Sequence, residues 1–241
     1  MQLIFDFPVN SKYGFDNFVV CAGNKTAYHF ARQLAEGDGT ENLLYLYGAR
    51  GAGKTHLLTA IARSIGAQNG LDALPSLSFK DIDKIYRGNY PAEELSKLAE
   101  QFKDSPALLM DDIHLIPDND NVRVEVWQLF NDFYSAGKKI AISGLCPPKE
   151  LPNLDGHLTS RLLWGLVSKL DISGDDSLRM ILQKLAEDRQ IVVPEEVTAY
   201  LLVHLQRDIP TLLNALQQIH RHALATKKKI SLRQAKEALG R

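Results

Sequence analysis

The run Gly48-Ala-Arg-Gly-Ala-Gly-Lys54-Thr55 matches the spacing G-x-x-x-x-G-K-[ST] at every position. Gly48, Gly51 and Gly53 let a chain bend so that backbone N–H groups converge on phosphate oxygens. Lys54 supplies a full positive charge for β- and γ-phosphates, Thr55 a hydroxyl suited to Mg²⁺, and His56 follows directly. A helix opening at Lys54 would add its partially positive N-terminus. The second feature with chemistry is Asp111-Asp112, which ends the apolar run Ala107-Leu-Leu-Met110. In a parallel sheet, ligands sit at the carboxyl ends of the strands. Asp111 is then placed to hold Mg²⁺ through water, and Asp112 to polarise an attacking water. Two acids capping a surface strand is the plainer alternative.

These residues need a strand before the glycine loop and a helix after it. Leu43-Leu-Tyr-Leu-Tyr47 is a short apolar run of the buried-strand kind, and a helix is expected from Lys54 to about Ile65. Further strands are expected at Ala107–Asp112, Lys139–Ser143 and Leu166–Leu170. Helices are expected at 24–36, near 80–86 and 92–103, and at 122–136. Strands alternating with helices indicate a parallel sheet covered on both faces. After Asp171 only helical patterns remain, at 175–190, 195–206, 209–226 and 231–239. The expected fold class is α/β, a P-loop domain with a parallel sheet, followed by a small all-α lid. The expected division is an extended tail at 1–12, a nucleotide-binding domain at 13–172 and a helical domain at 173–241.

Composition narrows the function. The 241 residues carry 28 basic and 29 acidic side chains, a net charge of −1, which argues against a wholly basic DNA-binding module. Residues 207–241 are locally basic, with 8 basic and 2 acidic side chains, or +6. A solvated lid face is favoured there, with weak DNA contact the alternative. Cys21 and Cys146 have no metal spacing, so a disulfide framework or structural zinc is not expected, and a cytoplasmic setting fits. No apolar run approaches the ~20 residues of a membrane span, and the first residues lack the pattern of a secretory signal. His220-x-His222 has no further ligands at zinc spacing, and Trp127 and Trp164 read as packing residues.

An ordered set of segments is more specific than the loop alone. Tyr13-Gly-Phe-Asp-Asn-Phe-Val19, Leu44-Tyr-Leu-Tyr-Gly48, Gly53-Lys-Thr-His-Leu-Leu58 and Leu108-Leu-Met-Asp-Asp-Ile113 come first. Pro148-Lys-Glu150, Leu158-Thr-Ser-Arg-Leu162 and Trp164-Gly165 follow. Together they resemble the AAA+ family, and within it the DnaA-like replication initiators, over roughly residues 13–239. The resemblance implies binding of ADP or ATP with Mg²⁺, with adenine recognition involving the Phe15–Val19 stretch and the domain boundary. It implies that Arg161 matches the family's arginine finger, a residue inserted into a partner's nucleotide site. A surface salt-bridge residue is the other reading of Arg161.

Two features point to one branch of that family. The chain reaches Arg241 just after the helical region, where DnaA-like proteins continue into a helix-turn-helix domain. The tail Gln2-Leu3-Ile4-Phe5-Asp6-Phe7 resembles a sliding-clamp-binding motif. In that reading Leu3, Phe5 and Phe7 enter an apolar pocket and Gln2 fixes register; an N-terminal edge strand is the alternative. The combination is similar to the regulatory inactivators of DnaA, which ride on the DNA-loaded clamp and trigger hydrolysis of DnaA-bound ATP. The implied partners are DnaA and the sliding clamp, with self-association possible in principle for an AAA+ body, and no membrane.

The chain also departs from the family pattern. Gly144 is followed by Leu145 and Cys146 where Asp-Arg is usual, and Pro210 occupies the slot of the lid's sensor arginine. Arg207 is a nearby candidate substitute, and His157 stands where another arginine is usual. Weak ATP turnover by the chain's own site is therefore expected, with binding retained. An independent AAA+ motor or helicase loader, a P-loop kinase of small molecules, and an inhibitor that binds DnaA without stimulating hydrolysis remain as alternatives.

Overall fold

Apolar strands alternate with helices through the first 170 residues because each strand must be buried on both faces. A computed structural model describes residues 4–8, 13–37, 39–86, 98–154 and 156–240. The strands are β1 (Ile4–Pro8), β2 (Leu43–Gly48), β3 (Ala73–Ser78), β4 (Ala107–Asp111), β5 (Lys139–Gly144) and β6 (Leu166–Leu170). They form one sheet in the order β1-β3-β4-β5-β2-β6. The last five are mutually parallel, and β1 pairs antiparallel with β3 at one edge. β2 lies between β5 and the edge strand β6, so the glycine loop begins at an interior strand.

Helices α1 (Lys25–Glu36) and α2 (Lys54–Gln68) pack on each other and on the sheet. α3 (Phe79–Tyr86) and α4 (Leu98–Phe102) follow β3, α5 (Asp120–Ser135) follows β4, and α6 (Gly156–Leu162) precedes β6. Successive strand residues point to opposite faces. Leu43, Tyr45, Leu108, Met110, Ile140 and Ile142 accordingly share one core with Val126, Leu129, Phe130 and Phe133 of α5. Leu44, Leu46, Leu109 and Ala141, buried but outside that core, serve the other face.

The expected strands at 43–47, 107–112, 139–143 and 166–170 are present. β3 was not anticipated, because Ala-Leu-Pro-Ser-Leu-Ser carries a proline and two serines. The register with β4 uses only Ser76–Ser78, so Pro75, which has no N–H, stays outside it. α6 was also not anticipated, being only seven residues long. Within the segment expected as a tail, the backbone of Ile4–Pro8 is extended and pairs with Ala73–Leu77. Gln2 and Leu3, and the side chains of Phe5 and Phe7, lie outside the described residues. So does most of the helix expected at 92–103, of which Leu98–Phe102 is described.

The chain divides into two units. One comprises Val19–Asn24, Ala49–Ala52 and Asp171–Arg241, and the other the remaining residues. Four helices dominate the smaller unit: α7 (Asp175–Glu187), α8 (Glu195–His204), α9 (Ile209–Thr226) and α10 (Leu232–Ala238). Leu178, Leu182, Leu201, Leu212, Leu216 and Ile219 are buried in it. Asp208 caps α9, its carboxylate accepting from the Thr211 N–H at 2.8 Å, and Pro210 fits the first turn, where a missing N–H costs nothing. Lys227 ends α9 in the left-handed conformation (φ 54°). No described helix is long and apolar enough to cross a membrane.

Candidate nucleotide site and the Arg161 cluster

The glycine loop sits between β2 and α2, at the carboxyl end of β2, as its chemistry requires. Gly53, the residue before α2, has φ 101°, and a Cβ there would lie 2.8 Å from Phe18 Cε2. Gly51 has φ 78°, and within the smaller unit its Cβ would lie 2.7 Å from Pro210 Cδ. Both positions require glycine on backbone and steric grounds. Lys54 is only 6% exposed, and its Nζ donates to the Gly48 carbonyl at 2.7 Å. That bond ties the ammonium to Gly48, the first residue of the glycine motif.

Thr55 Oγ1 donates to Asp111 Oδ2 at 2.8 Å. Asp111 is 7% exposed and receives a second bond on Oδ1 from the Ser143 hydroxyl. Burial raises the Asp111 carboxyl above its ordinary pKa; the bonds from Ser143 and Thr55 and the charge of Lys54 oppose that, while Asp112 adds to it. The same Ser143 Oγ accepts the Asp112 N–H at 3.0 Å. Asp112 turns the chain with φ 57°. Thr55 and Asp111 thus come together as a hydroxyl–carboxylate oxygen pair, with Asp112 next to it.

Mg²⁺ prefers one or two protein oxygens and completes its shell with water and phosphate. Thr55 and Asp111 fit that donor set, and no cluster of three or more metal-ligating side chains exists among the described residues. Lys54 and the glycine loop fit the phosphates. When bound, the ion would neutralise phosphate charge beside Thr55.

His56, in the first turn of α2, is tied to the segment that precedes α1. Its Nε2 lies 2.9 Å from the Gly14 carbonyl and 3.1 Å from Asn17 Oδ1. Its ring meets Tyr13 at 4.9 Å and Phe18 at 5.1 Å. Phe18 stacks on Tyr28 at 5.7 Å, and Tyr28 OH donates to the Phe15 carbonyl. The Phe15–Phe18 part of the expected adenine-recognition stretch is therefore an aromatic cluster attached to the glycine loop's helix.

No carboxylate pairs with Arg161 among the described residues. It lies on α6, half-buried, and one guanidinium N–H donates to Asn131 Oδ1. Arg207, the candidate sensor substitute, instead pairs with Asp175 at 2.7 Å. Leu145 and Pro210 bring no polar group, whereas Ser143 does. The sequence reading missed Ser143 because its partner Asp111 lies 32 residues away; the available signal was a hydroxyl near the end of a buried apolar strand. Asn131 was missed for the same reason, being 30 residues from Arg161. Lys227–Lys229 are all exposed.

Comparison with known proteins places this geometry. The family model of the bacterial DnaA ATPase domain matches residues 9–169, and that of the Hda lid domain matches residues 175–239. The chain belongs to the bacterial DnaA ATPase-domain family. It is 32% identical over 232 residues to the chromosomal replication initiator DnaA of Caldanaerobacter subterraneus subsp. tengcongensis, covering 96% of this chain and 52% of that protein. The DnaA of Thermoanaerobacter pseudethanolicus gives the same values. The chain spans about half the length of these curated relatives.

Domain III of the Thermotoga maritima DnaA superposes with a TM-score of 0.80 at 29% identity, covering 97% of this chain and 98% of that one. AMPPCP-bound DnaA from Aquifex aeolicus shares the fold, with a TM-score of 0.73 at 23% identity over 88% of this chain and 66% of that one. The Thermotoga maritima RuvB branch-migration motor shares it more distantly, with a TM-score of 0.71 at 15% identity over 96% and 72%. The fold is the AAA+ fold of DnaA domain III, with a helical C-terminal region like the Hda lid.

Proposed function

We propose that this chain is an adenine-nucleotide-binding regulator of replication initiation that acts on DnaA, of the kind its Hda lid match suggests. The observation that carries this reading is Arg161: a guanidinium on a short helix, held by an amide oxygen and aromatic rings, with its charge unpaired by any described carboxylate. Such a group suits an anionic phosphoryl centre on a second molecule. Water would attack the γ-phosphorus of ATP held by DnaA, and the bond to the β-phosphate oxygen would break. The water's protons pass to phosphate and solvent, leaving ADP and inorganic phosphate. Arg161 would stabilise the negative charge on the phosphoryl oxygens as that bond breaks, an effect worth roughly 10³–10⁵ in rate in comparable systems.

The chain's own loop binds ADP or ATP through Lys54 and the loop amides, with Mg²⁺ at Thr55 and Asp111. Its own turnover is weak. Asp111 is engaged on both oxygens, and Leu145 and Pro210 bring no polar group to a γ-phosphate. Tethering to the DNA-loaded sliding clamp falls to Gln2, Leu3, Phe5 and Phe7.

The test follows ATP bound to DnaA, with the clamp loaded on DNA, in the presence of this protein. Hydrolysis is expected to accelerate, and Arg161→Ala and joint alanine substitution of Gln2, Leu3, Phe5 and Phe7 are each expected to abolish the acceleration. Binding to DnaA without acceleration would mark a non-catalytic inhibitor. Binding to neither DnaA nor clamp would refute the reading.

A further inference from the structure

Trp127, Asn131 and Tyr134 are spaced four and three residues apart on α5, so they share one helix face. Arg161 lies against that face. Its Cζ is 5.0 Å from the Trp127 ring centre and 5.7 Å from that of Tyr134. Trp164, three residues on, approaches to 5.8 Å and is 63% exposed. One guanidinium nitrogen donates to Asn131 Oδ1. The rings are themselves anchored. Phe130, fully buried, stacks on Trp127 at 6.3 Å and on Tyr134 at 5.7 Å, and Tyr134 meets Trp164 at 6.3 Å.

A carboxylate can hold an arginine side chain through paired N–H···O bonds. That arrangement fixes its place and cancels its charge together. Among the described residues, four neutral groups fix its place and no carboxylate cancels its charge. Ring faces attract a guanidinium through their quadrupoles, and an amide oxygen accepts one N–H. The cation keeps its full charge for whatever anion meets it.

We propose that Trp127, Asn131, Tyr134 and Trp164 form a charge-preserving cradle that positions Arg161 for a phosphoryl group presented by a partner molecule. The proposal rests on the reading of Arg161 as acting in trans, and deepens it. The four residues are positioning residues, since they act through Arg161. Phosphoryl-transfer catalysis is almost entirely positioning and electrostatics, so loosening the arginine and neutralising it must both lower the rate.

The two effects are separable. Asn131→Asp is isosteric and keeps a hydrogen-bond acceptor, so it holds Arg161 while cancelling its charge. Trp127→Leu keeps the charge and removes the nearest ring, with Trp127→Phe as the conservative control. All are made in the full chain, with melting temperature checked. The first readout is the guanidinium Nε–H resonance of Arg161, which ring currents displace from its ordinary position. The second is stimulated hydrolysis of ATP on DnaA with clamp on DNA.

The displaced resonance is expected in the wild type and in Asn131→Asp, and is expected to be largely lost in Trp127→Leu. Stimulation is expected to fall at least roughly tenfold in Asn131→Asp, and roughly tenfold to a hundredfold in Trp127→Leu, with Trp127→Phe retaining most of it. The cradle is overturned if Arg161→Ala is inactive while Asn131→Asp and Trp127→Leu match the wild type, or if the resonance sits at its ordinary position. If Arg161→Ala itself stimulates fully, the trans reading is what has failed, and the cradle falls with it.

Discussion

Ser143→Ala removes one hydroxyl that serves the buried Asp111 carboxylate and the part-buried Asp112 N–H. Ser143 is fully buried, donates to Asp111 Oδ1 and accepts the Asp112 N–H at 3.0 Å. Loss of a hydrogen bond to an ionised group costs ~1.5–3 kcal/mol, and a buried N–H left without a partner costs ~1–3 kcal/mol. Water reaching the site offsets part of this, so the working figure is ~3 kcal/mol. For a chain of this length that is a fall of roughly 6–12 °C in melting temperature. The assay is urea unfolding followed by tryptophan fluorescence. The only tryptophans, Trp127 and Trp164, both lie in the α/β unit, so the signal reports the unit that contains Ser143. In an Asp111→Asn background the charge-assisted bond is already gone, and the cost of Ser143→Ala is expected to shrink by about 1 kcal/mol or more. A Ser143→Ala protein within about 0.5 kcal/mol of wild type, or an equal cost in both backgrounds, would refute the network.

Other outcomes follow from the same geometry. Burial raises the Asp111 carboxyl, so its ionised form costs stability above the folded-state pKa and is relieved as pH falls through that value toward the unfolded ~3.9. The stability of wild type relative to Asp111→Asn in urea is therefore expected to rise as pH falls from 7; a relative fall contradicts the assignment. Gly53→Ala forces a side chain onto φ 101° and against Phe18, so a loss of ~1–3 kcal/mol and weaker binding of a fluorescent ADP analogue are expected, by unfolding and titration. Asp208→Ala removes the α9 cap and is expected to cost ~1 kcal/mol in unfolding followed by circular dichroism.

What could be read from sequence was what is local in sequence. The glycine loop lies within eight consecutive residues, so its spacing, the strand before it and the helix after it were all visible. Helices of the C-terminal unit were visible too, because apolar residues recur at helical period along α7 and α9, and Asp208 and Ser231 cap the starts of α9 and α10. β3 was hidden because Pro75 and its serines look like a turn, and only the partner strands make it a strand. Ser143 and Asn131 were hidden because their roles exist only through contacts with Asp111 and Arg161, 32 and 30 residues away. Trp127 packs against the core as expected, whereas Trp164 is largely exposed, and the cation between them was not legible. Arg161 was found through family resemblance, and the structure adds what resemblance did not carry: the neutral groups around it.

The most direct test of the central claim is single-turnover hydrolysis of ATP bound to DnaA, at saturating amounts of this protein and clamp on DNA. With Arg161→Ala, bound DnaA is expected to hydrolyse its ATP roughly 10³–10⁵ slower than with the wild type, while binding to DnaA is unchanged. A variant that binds DnaA and stimulates hydrolysis as well as the wild type would contradict the account.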